Sequence, residues 1–322
     1  MCAVLKRLLV IVAALALAAA AQAEEFPSRP VRIIVPYTPG TGADILARVV
    51  GVKLGERWKE PVVVDNRPGA TGNIGTDFVA KSAPDGYTLL LAATSFSTNP
   101  SLTAPLPYDP VKSFAPIVLV ATSTLALVVN PELPAKTFAE FLELVKREPG
   151  KLYYGSPGNG GIQHLAMELL KLETGMDMVH VPYKGLGGAM SDVIAGHIPA
   201  MISATQSVSP HFHSGKLRML VLMSAERQSA FPGVPTLREL GYRNLEVDTW
   251  YALFAPAGTP TQLIAKLNSE VNHSLKDAET RELLAKQGLY ARGGSSAELA
   301  AMLGRELARW SRVVTAAGIK AD

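Results

Sequence analysis

Short apolar segments rich in β-branched residues alternate with amphipathic segments along the first third of the chain. Residues 31–35, 61–65 and 87–92 predict three strands, and residues 44–58 between the first two predict a helix. The side chains expected on the core side of this helix are Ile45, Val49, Val52 and Leu54. This strand–helix–strand order predicts an α/β fold built on a mainly parallel sheet, with helices on both faces.

Helix start signals mark three further segments. Thr137 stands three residues before Glu140, and Ser295 three residues before Glu298; this spacing predicts two capping boxes. Pro260 is expected at the first position of another helix, where its missing N–H costs nothing. The sequence therefore predicts helices after residues 137 and 259, and a last helix running from 295 through 310.

The N-terminal 23 residues have the pattern of a secretory signal peptide. Lys6 and Arg7 precede the uninterrupted apolar residues 8–20, and the small residues of Ala21-Gln22-Ala23 predict cleavage after Ala23. The apolar segment is too short to cross a membrane comfortably, and an uncleaved anchor is the alternative. The sequence thus predicts export to the periplasm.

Length and charge narrow the class of protein. A chain of 322 residues suggests two domains, and a formal charge of +3 without a basic cluster argues against nucleic-acid binding. The single cysteine, Cys2, lies in the predicted signal peptide, so the mature chain has neither a disulfide nor a thiol nucleophile.

One sequence pattern occurs twice. Residues 35–43 and 181–189 each combine the end of a strand, a Pro-Tyr pair and a glycine-containing loop before a helix. We interpret them as equivalent parts of two α/β lobes, the alternative being chance similarity. With crossings at 125–130 and 249–254, the lobes are predicted to span residues 26–124 plus 250–322 and residues 125–249.

Glycine loops before helices are suited to holding an anion, because the first N–H groups of a helix are unpaired and carry partial positive charge. The candidates are residues 38–43, 155–161 and 184–189, together with the hydroxyl-rich loop 94–99. Lys184 is the one positive residue among them, which favours a carboxylate held mainly by N–H and hydroxyl donors. Ordinary turns between strands and helices are the alternative.

The sequence supports an enzyme less well than a carboxylate-binding protein. Gly40-Thr41-Gly42 imitates a dinucleotide fingerprint, but Ile45 occupies the third glycine position and Asp44 would meet the pyrophosphate. No Gly-x-Ser-x-Gly motif is present, and His211 and His213 lack a third metal ligand. We predict no catalytic residues, no cofactor and no metal. His164 either donates to a ligand or satisfies a loop carbonyl.

Several motifs together make the chain similar to a known family. It resembles the Bug family, the TctC-like periplasmic substrate-binding proteins of tripartite tricarboxylate transporters, over almost the whole mature length. The stretches that carry this resemblance are residues 30–36, 39–44, 64–70, 72–73, 85–89, 99–100, 180–185, 250 and 254–260.

The resemblance implies two lobes of the type II periplasmic-binding fold, with the ligand in the cleft between them. It implies capture of a small di- or tricarboxylate or aromatic acid by a monomer, and delivery to membrane permease subunits. The implied ligand-binding residues are Tyr37, Thr38, Pro39, Gly40, Thr41, Gly42, Asp44, Ser95, Phe96, Asn99, Gly158, Asn159, Gly160, Gly161, His164, Tyr183, Lys184, Gly185 and Ser203.

Some positions depart from the family pattern. Family members often carry histidine where Phe96 stands, a hydroxyl residue where Gly161 stands, and acids where Pro199 and Ser203 stand. A buried ammonium group needs a counter-charge, so a plain or aromatic acid is expected rather than an amino acid, with Phe96 as a candidate to stack on its ring. A receptor that presents its acid to a membrane sensor kinase is the alternative function, and an exported enzyme the third.

Overall fold

The computed structural model describes residues 26–103, 105–243 and 245–319. The predicted signal peptide lies outside these ranges. Within them the strands are β1 (Val31–Val35), β2 (Val62–Asn66), β3 (Thr88–Ala93), β4 (Phe114–Val129), β5 (Tyr153–Ser156), β6 (Val179–Pro182), β7 (Ala200–Ala204), β8 (Arg218–Leu222), β9 (Asp248–Pro256) and β10 (Tyr290–Ala291). The helices are α1 (Gly42–Trp58), α2 (Asn73–Ala80), α3 (Ser95–Leu102), α4 (Phe138–Arg147), α5 (Ile162–Thr174), α6 (Leu186–Ala195), α7 (Thr205–His213), α8 (Thr261–Lys276), α9 (Ala278–Lys286) and α10 (Ser296–Ala317).

The strands form one mixed sheet in the order β2-β1-β3-β9-β4-β7-β5-β6, with β8 and β10 also paired to β4. The three predicted N-terminal strands are present within one residue of their expected ends, and β1 pairs in parallel with β2 and β3. The expectation of a mainly parallel sheet is wrong at its centre. There β9 runs antiparallel to both β3 and β4, and β4 runs antiparallel to β7.

The long strand β4 belongs to both halves of the sheet. Its first part pairs with β9 and β10, and its last five residues pair with β7 and β8. The β5–β6 and β5–β7 pairs are parallel, as are the pairs at the other end of the sheet. Each half therefore repeats a parallel α/β unit, and β1–α1 and β6–α6 are the two copies of the strand, glycine loop and helix.

The buried face of α1 differs from the predicted one. Leu46, Ala47, Val50 and Leu54 are buried, whereas Val52 is 59% exposed. Two neighbouring apolar stripes run along this helix, so periodicity alone does not decide which faces the core. The sheet selects the stripe that includes Leu46 and Val50.

The capping predictions hold to different degrees. Ser295 and Glu298 form the reciprocal box, and the last helix continues beyond the predicted residue 310 to Ala317. The Thr137 side chain accepts the Glu140 N–H, but the Glu140 carboxylate accepts from the backbone of Lys136. Helix α8 begins one residue later than expected, because Pro260 is its N-cap.

Helix α10 contributes to the apolar cores of both halves. Leu299 and Leu303 pack in the cluster that contains Trp250 and Phe254. Trp310 and its neighbours pack instead in the cluster built around β4, α4 and α5.

The lobe limits at 124/125 and 249/250 remain a prediction. No helix in the described ranges is long and apolar enough to cross a membrane.

Candidate ligand-binding site

A cavity of about 390 Å³ lies between the β3–α3 region and the loop before α5. It is bounded by the carboxyl end of β3, one face of α3, and residues from the start of α5. The lining residues are Tyr37, Thr71, Ala93, Thr94, Ser95, Thr98, Asn99, Leu102, Thr103, Asn159, Gly160, Gly161, Ile162 and Thr249. The two halves of the sheet therefore both contribute to one cavity.

Tyr37 and Ser95 join the end of β1 to the start of α3. Their hydroxyl oxygens lie 2.7 Å apart, and the Ala93 N–H donates to the Tyr37 hydroxyl at 3.1 Å. Burial raises the pKa of Tyr37, so the phenol is neutral at physiological pH. The pair thus presents a neutral polar surface to the cavity.

The wall beside α3 contains strained backbone. Ala70 and Thr71 have φ values of 47° and 54°, in the left-handed region that favours glycine. Asn99 holds this turn by donating to the Thr71 carbonyl at 3.0 Å and to the Asn73 side chain at 2.7 Å. Strain of this kind persists only where surrounding contacts determine it, and here it positions Thr71 at the cavity.

The opposite wall is the loop between β5 and α5. Gly160 has a φ of 69°, and a Cβ added there would lie 3.0 Å from Leu102 of α3. The Gly160 N–H donates to Nδ1 of His164 at 3.0 Å. Gly160 thus brings the loop against α3 and closes one side of the cavity.

None of the described lining residues carries a formal charge. The polar groups are hydroxyls, amides and backbone N–H groups, and both α3 and α5 begin without a side-chain cap, at Thr94 and Gly161. Uncapped first turns offer N–H donors and partial positive charge to an anion. Among the residues described, no group of three His, Cys, Asp or Glu could hold a metal.

Six of the predicted site residues meet at this cavity, and these are Tyr37, Ser95, Asn99, Asn159, Gly160 and Gly161. The others lie outside its lining, and these are Thr38, Pro39, Gly40, Thr41, Gly42, Asp44, Phe96, Gly158, His164, Tyr183, Lys184, Gly185 and Ser203. Lys184 is exposed. The Tyr183 hydroxyl donates to Asp192, and the Ser203 hydroxyl is buried without a hydrogen-bond partner among the described residues.

Asp44, in the first turn of α1, holds the first glycine loop, residues 38–43. Its buried carboxylate accepts the Gly40 N–H at 2.9 Å, the Asn66 amide at 3.0 Å, and the Arg48 guanidinium. Burial opposes ionisation of Asp44, but these hydrogen bonds outweigh it and lower the pKa of the carboxyl group. Its acceptor positions are thus occupied by the protein's own donors.

The Phe96 ring belongs to the core and not to the cavity lining, which corrects the expectation that it could stack on a ligand. It is only 2% exposed and packs against Tyr108, Phe114 and Phe254. Residues 94–99 are also not a loop, because α3 begins at Ser95. A helix turns Phe96 into the core while Ser95 faces the cavity.

Two of the remaining lining residues, Thr94 and Thr98, belong to the candidate segment 94–99. The sequence did not predict the others, which are Thr71, Ala93, Leu102, Thr103, Ile162 and Thr249. A signal for α3 existed, because Ser95, Thr98, Asn99 and Leu102 follow the spacing of one helix face. Pro100 inside the segment concealed it. Nothing local in the sequence marks Thr249, which reaches the cavity from β9.

A cavity lined by hydroxyl, amide and apolar groups lies between two halves of an α/β sheet, and one long strand pairs in both halves. This is the architecture of a two-lobed solute-binding protein. The chain belongs to the TctC family, the tripartite tricarboxylate transporter family receptors, whose model matches residues 46–319. Its structural neighbours include TctC and Bug periplasmic binding proteins, as expected for the type II fold.

Individual relatives cover nearly the whole chain. Protein BugT of Bordetella pertussis is 37% identical over 313 residues, which are 97% of this chain and 96% of BugT. A solved R. palustris protein with adipate is 32% identical, with a TM-score of 0.77, covering 92% of this chain and all of that one. MatC of Rhodopseudomonas palustris, with bound malate, is 30% identical, with a TM-score of 0.72, covering 90% of this chain and all of MatC.

Proposed function

We propose that this protein captures a small organic carboxylate in the cavity between α3 and the loop before α5. The observation that carries the proposal is the lining itself, in which hydroxyls and two uncapped helix starts surround a space without formal charge. Several hydrogen bonds to an ionised acceptor provide strong binding without a cationic side chain. Relatives solved with adipate and with malate support the same ligand class.

Family membership supports the cellular role that we propose for this protein. The receptor releases its ligand to the membrane permease subunits of a tripartite tricarboxylate-type transporter, after export to the periplasm and cleavage after Ala23. It acts as a monomer and does not transform the ligand. Its lobes are residues 26–124 plus 250–322 and residues 125–249, and they close on the acid because only the closed state lets both lobes contact it.

A thermal-shift and calorimetry panel tests the proposal, since binding to the folded state raises Tm. The panel contains adipate, malate, citrate, benzoate, glutamate and the uncharged control adipamide. We expect at least one carboxylate to bind wild type, and Leu102→Trp, which fills the cavity, to lose that binding. Val52→Trp on the exposed face of α1 is the matched control and should bind normally. A carboxylate that binds Leu102→Trp as tightly as wild type contradicts this location of the site.

A further inference from the structure

A second cavity, of about 390 Å³, lies where β4 passes from one half of the sheet to the other. We call it the crossing cavity, and its lining includes residues 224–229 after β8, Asp248 of β9, and Arg292 just after β10. Thr249, the next residue of β9, lines the first cavity. Because successive side chains of a strand point to opposite faces, the two cavities lie on opposite faces of the sheet.

Two buried side-chain oxygens of the crossing cavity lack a hydrogen-bond donor. Gln228 is 8% exposed, and its Oε1 has no hydrogen-bond partner among the residues that the structure describes. Oδ1 of Asp248 is buried and unpartnered in the same way. A buried acceptor without a donor costs free energy, which a ligand recovers when it supplies the donor. The two oxygens therefore favour a ligand with several N–H donors, such as an ammonium group.

Asp248 carries a charge that its surroundings offset only in part. Its second oxygen, Oδ2, lies 3.9 Å from Nη2 of Arg292. Burial raises the pKa of Asp248 to about 6, although Arg292 and Thr124 oppose the shift. The carboxylates of Glu246 and Glu306 raise this pKa further. At about pH 8 the Asp248 carboxylate is thus ionised, and a cation bound beside it would be stabilised.

Arg292 supplies the opposite charge in the same cavity. Its Nε donates to the Thr122 hydroxyl at 2.8 Å, whereas Nη1 and Nη2 make no hydrogen bond within the described part of the chain. The side chain is 43% exposed, and a guanidinium with two such nitrogens can bind a carboxylate in bidentate form. Arg227 also lines the cavity, but its guanidinium already donates to Glu239 and to the Pro232 carbonyl.

A ligand with both charges suits this arrangement better than a ligand with one. A carboxylate alone would meet the charge of Asp248, and an amine alone would meet that of Arg292, so each would be repelled by one of the two groups. An α-amino acid carries its ammonium and carboxylate groups on one carbon and can reach both residues at once. The exposed carboxylate of Glu226 disfavours an acidic side chain, whereas the Ser229 hydroxyl suits an uncharged polar one.

We propose that the crossing cavity is a second binding site, which takes an α-amino acid with an uncharged polar side chain. The ligand's carboxylate binds Nη1 and Nη2 of Arg292, and its ammonium group donates to Oδ1 of Asp248 and Oε1 of Gln228. This site lies apart from the cavity between α3 and the loop before α5. The inference therefore goes beyond the proposed function and does not depend on it.

Calorimetry with the full mature chain at about pH 8 tests the ligand class, because Asp248 is ionised there. The probes are L-serine, L-threonine and L-glutamine. Each is compared with the amine that lacks its carboxylate and with the acid that lacks its ammonium group; for L-serine these are ethanolamine and 3-hydroxypropanoate. We expect at least one amino acid to bind, and its two fragments to bind at least about tenfold more weakly. Binding of none of the three amino acids, or a fragment that binds as tightly as its amino acid, overturns the proposal.

Substitutions locate the amino acid. Asp248→Asn removes the carboxylate charge, and Arg292→Met removes the guanidinium. We expect each variant to bind the amino acid at least about tenfold more weakly than wild type, with circular dichroism verifying that it folds. Asp248→Asn should fold, since it removes a charge that burial opposes. Asp177→Asn and Arg147→Met, at exposed positions, are the matched controls and should bind normally.

Leu102→Trp separates this inference from the proposed function. It fills the first cavity and should leave binding of the amino acid unchanged, whereas it should abolish binding of the organic acid. An amino acid that binds Asp248→Asn as tightly as wild type, or that no longer binds Leu102→Trp, does not bind in the crossing cavity, and either result overturns the proposal. Organic-acid binding that persists in Leu102→Trp contradicts only the proposed location of the first site.

Discussion

At the scale of single residues, the cavity depends on a few backbone conformations and on the groups that hold them. Gly160 adopts a positive φ next to Leu102, and Thr71 adopts one next to Asn99. Asp44 holds the first glycine loop by accepting three kinds of donor. The sequence predicted both Gly160 and Asp44 as binding-site residues. It did not indicate that Gly160 lines the cavity, whereas Asp44 supports a loop outside the cavity lining.

Gly160→Ala tests the backbone requirement. An alanine in the left-handed region costs about 1 kcal/mol of folding stability. At residue 160 its Cβ would also crowd Leu102 and displace a loop that lines the cavity, so we expect binding at least about fivefold weaker. Gly175→Ala is the matched control, because Gly175 has a φ of 72° at the end of α5 with no atom within 4 Å of the added Cβ. Both variants should lose stability in urea unfolding, but only Gly160→Ala should lose affinity. Equal affinities would contradict this role of Gly160.

Asp44→Asn tests the supporting carboxylate. Its hydrogen bonds lower the pKa of Asp44 in the folded state, so its stabilisation is present above the unfolded pKa near 3.9 and is lost as pH falls through the folded pKa. We expect the variant to lose about 1–3 kcal/mol of unfolding free energy at neutral pH, and the deficit to shrink below about pH 4. Glu282→Gln, in an exposed pair with Lys286, should change little. A deficit independent of pH would argue against the charge as its cause.

At the scale of elements, β4 and β9 decide how the two halves are joined. The apolar segment of β4 is interrupted by Thr122, Ser123 and Thr124, and the structure places these where the strand passes from β9 and β10 to β7 and β8. Ser123 donates to Gln206 at 2.9 Å, and Arg292 donates to Thr122 at 2.8 Å. A crossing was expected at 125–130, and β4 changes its pairing partner between Thr124 and Leu125. The antiparallel pairing of β4 with β9 was not predictable, because strand neighbours far apart in sequence leave no local pattern.

Asp248, the first residue of β9, pairs with Thr124 where β4 passes between the two halves, and substituting it tests how charge at this point affects stability. Its side chain is 22% exposed, and burial raises its pKa to about 6, although Arg292 and Thr124 oppose the shift. A raised pKa means that its stabilising contribution is present below the unfolded pKa and is lost as pH rises through about 6. We expect Asp248→Asn to be more stable than wild type at about pH 8, by at most about 3 kcal/mol, and equal to it near pH 4.

Thermal unfolding across that pH range measures the Asp248 effect. Asp109→Asn is the control of opposite sign, since hydrogen bonds from the backbone of Lys112 and Val111 lower the pKa of Asp109. That variant should lose stability at neutral pH and recover relative to wild type under acid conditions. If Asp248→Asn is the less stable protein at pH 8, the ionised carboxylate stabilises the crossing, contrary to this account.

At the scale of the whole molecule, the repeated strand, glycine loop and helix predicted two related halves. The fold and the family could be predicted from the sequence because they depend on periodicity and on several motifs in a fixed order. The residues that line the cavity could be predicted only in part, because some of them, such as Thr249 and Leu102, belong to elements far apart in the sequence. Phe96 shows the same limit, since only the packing of α3 reveals that its ring faces Phe254 and not the cavity.

The central claim is that an organic acid binds between the two halves, in contact with both. A crystal structure of the protein grown with whichever panel acid raises Tm most tests this most directly. We expect electron density for that acid beside Ser95 and Thr98 on one side and Asn159 to Gly161 on the other, with a carboxylate oxygen within hydrogen-bonding distance of the first turn of α3 or α5. Density for the acid elsewhere on the molecule, with this cavity filled only by water, would contradict it.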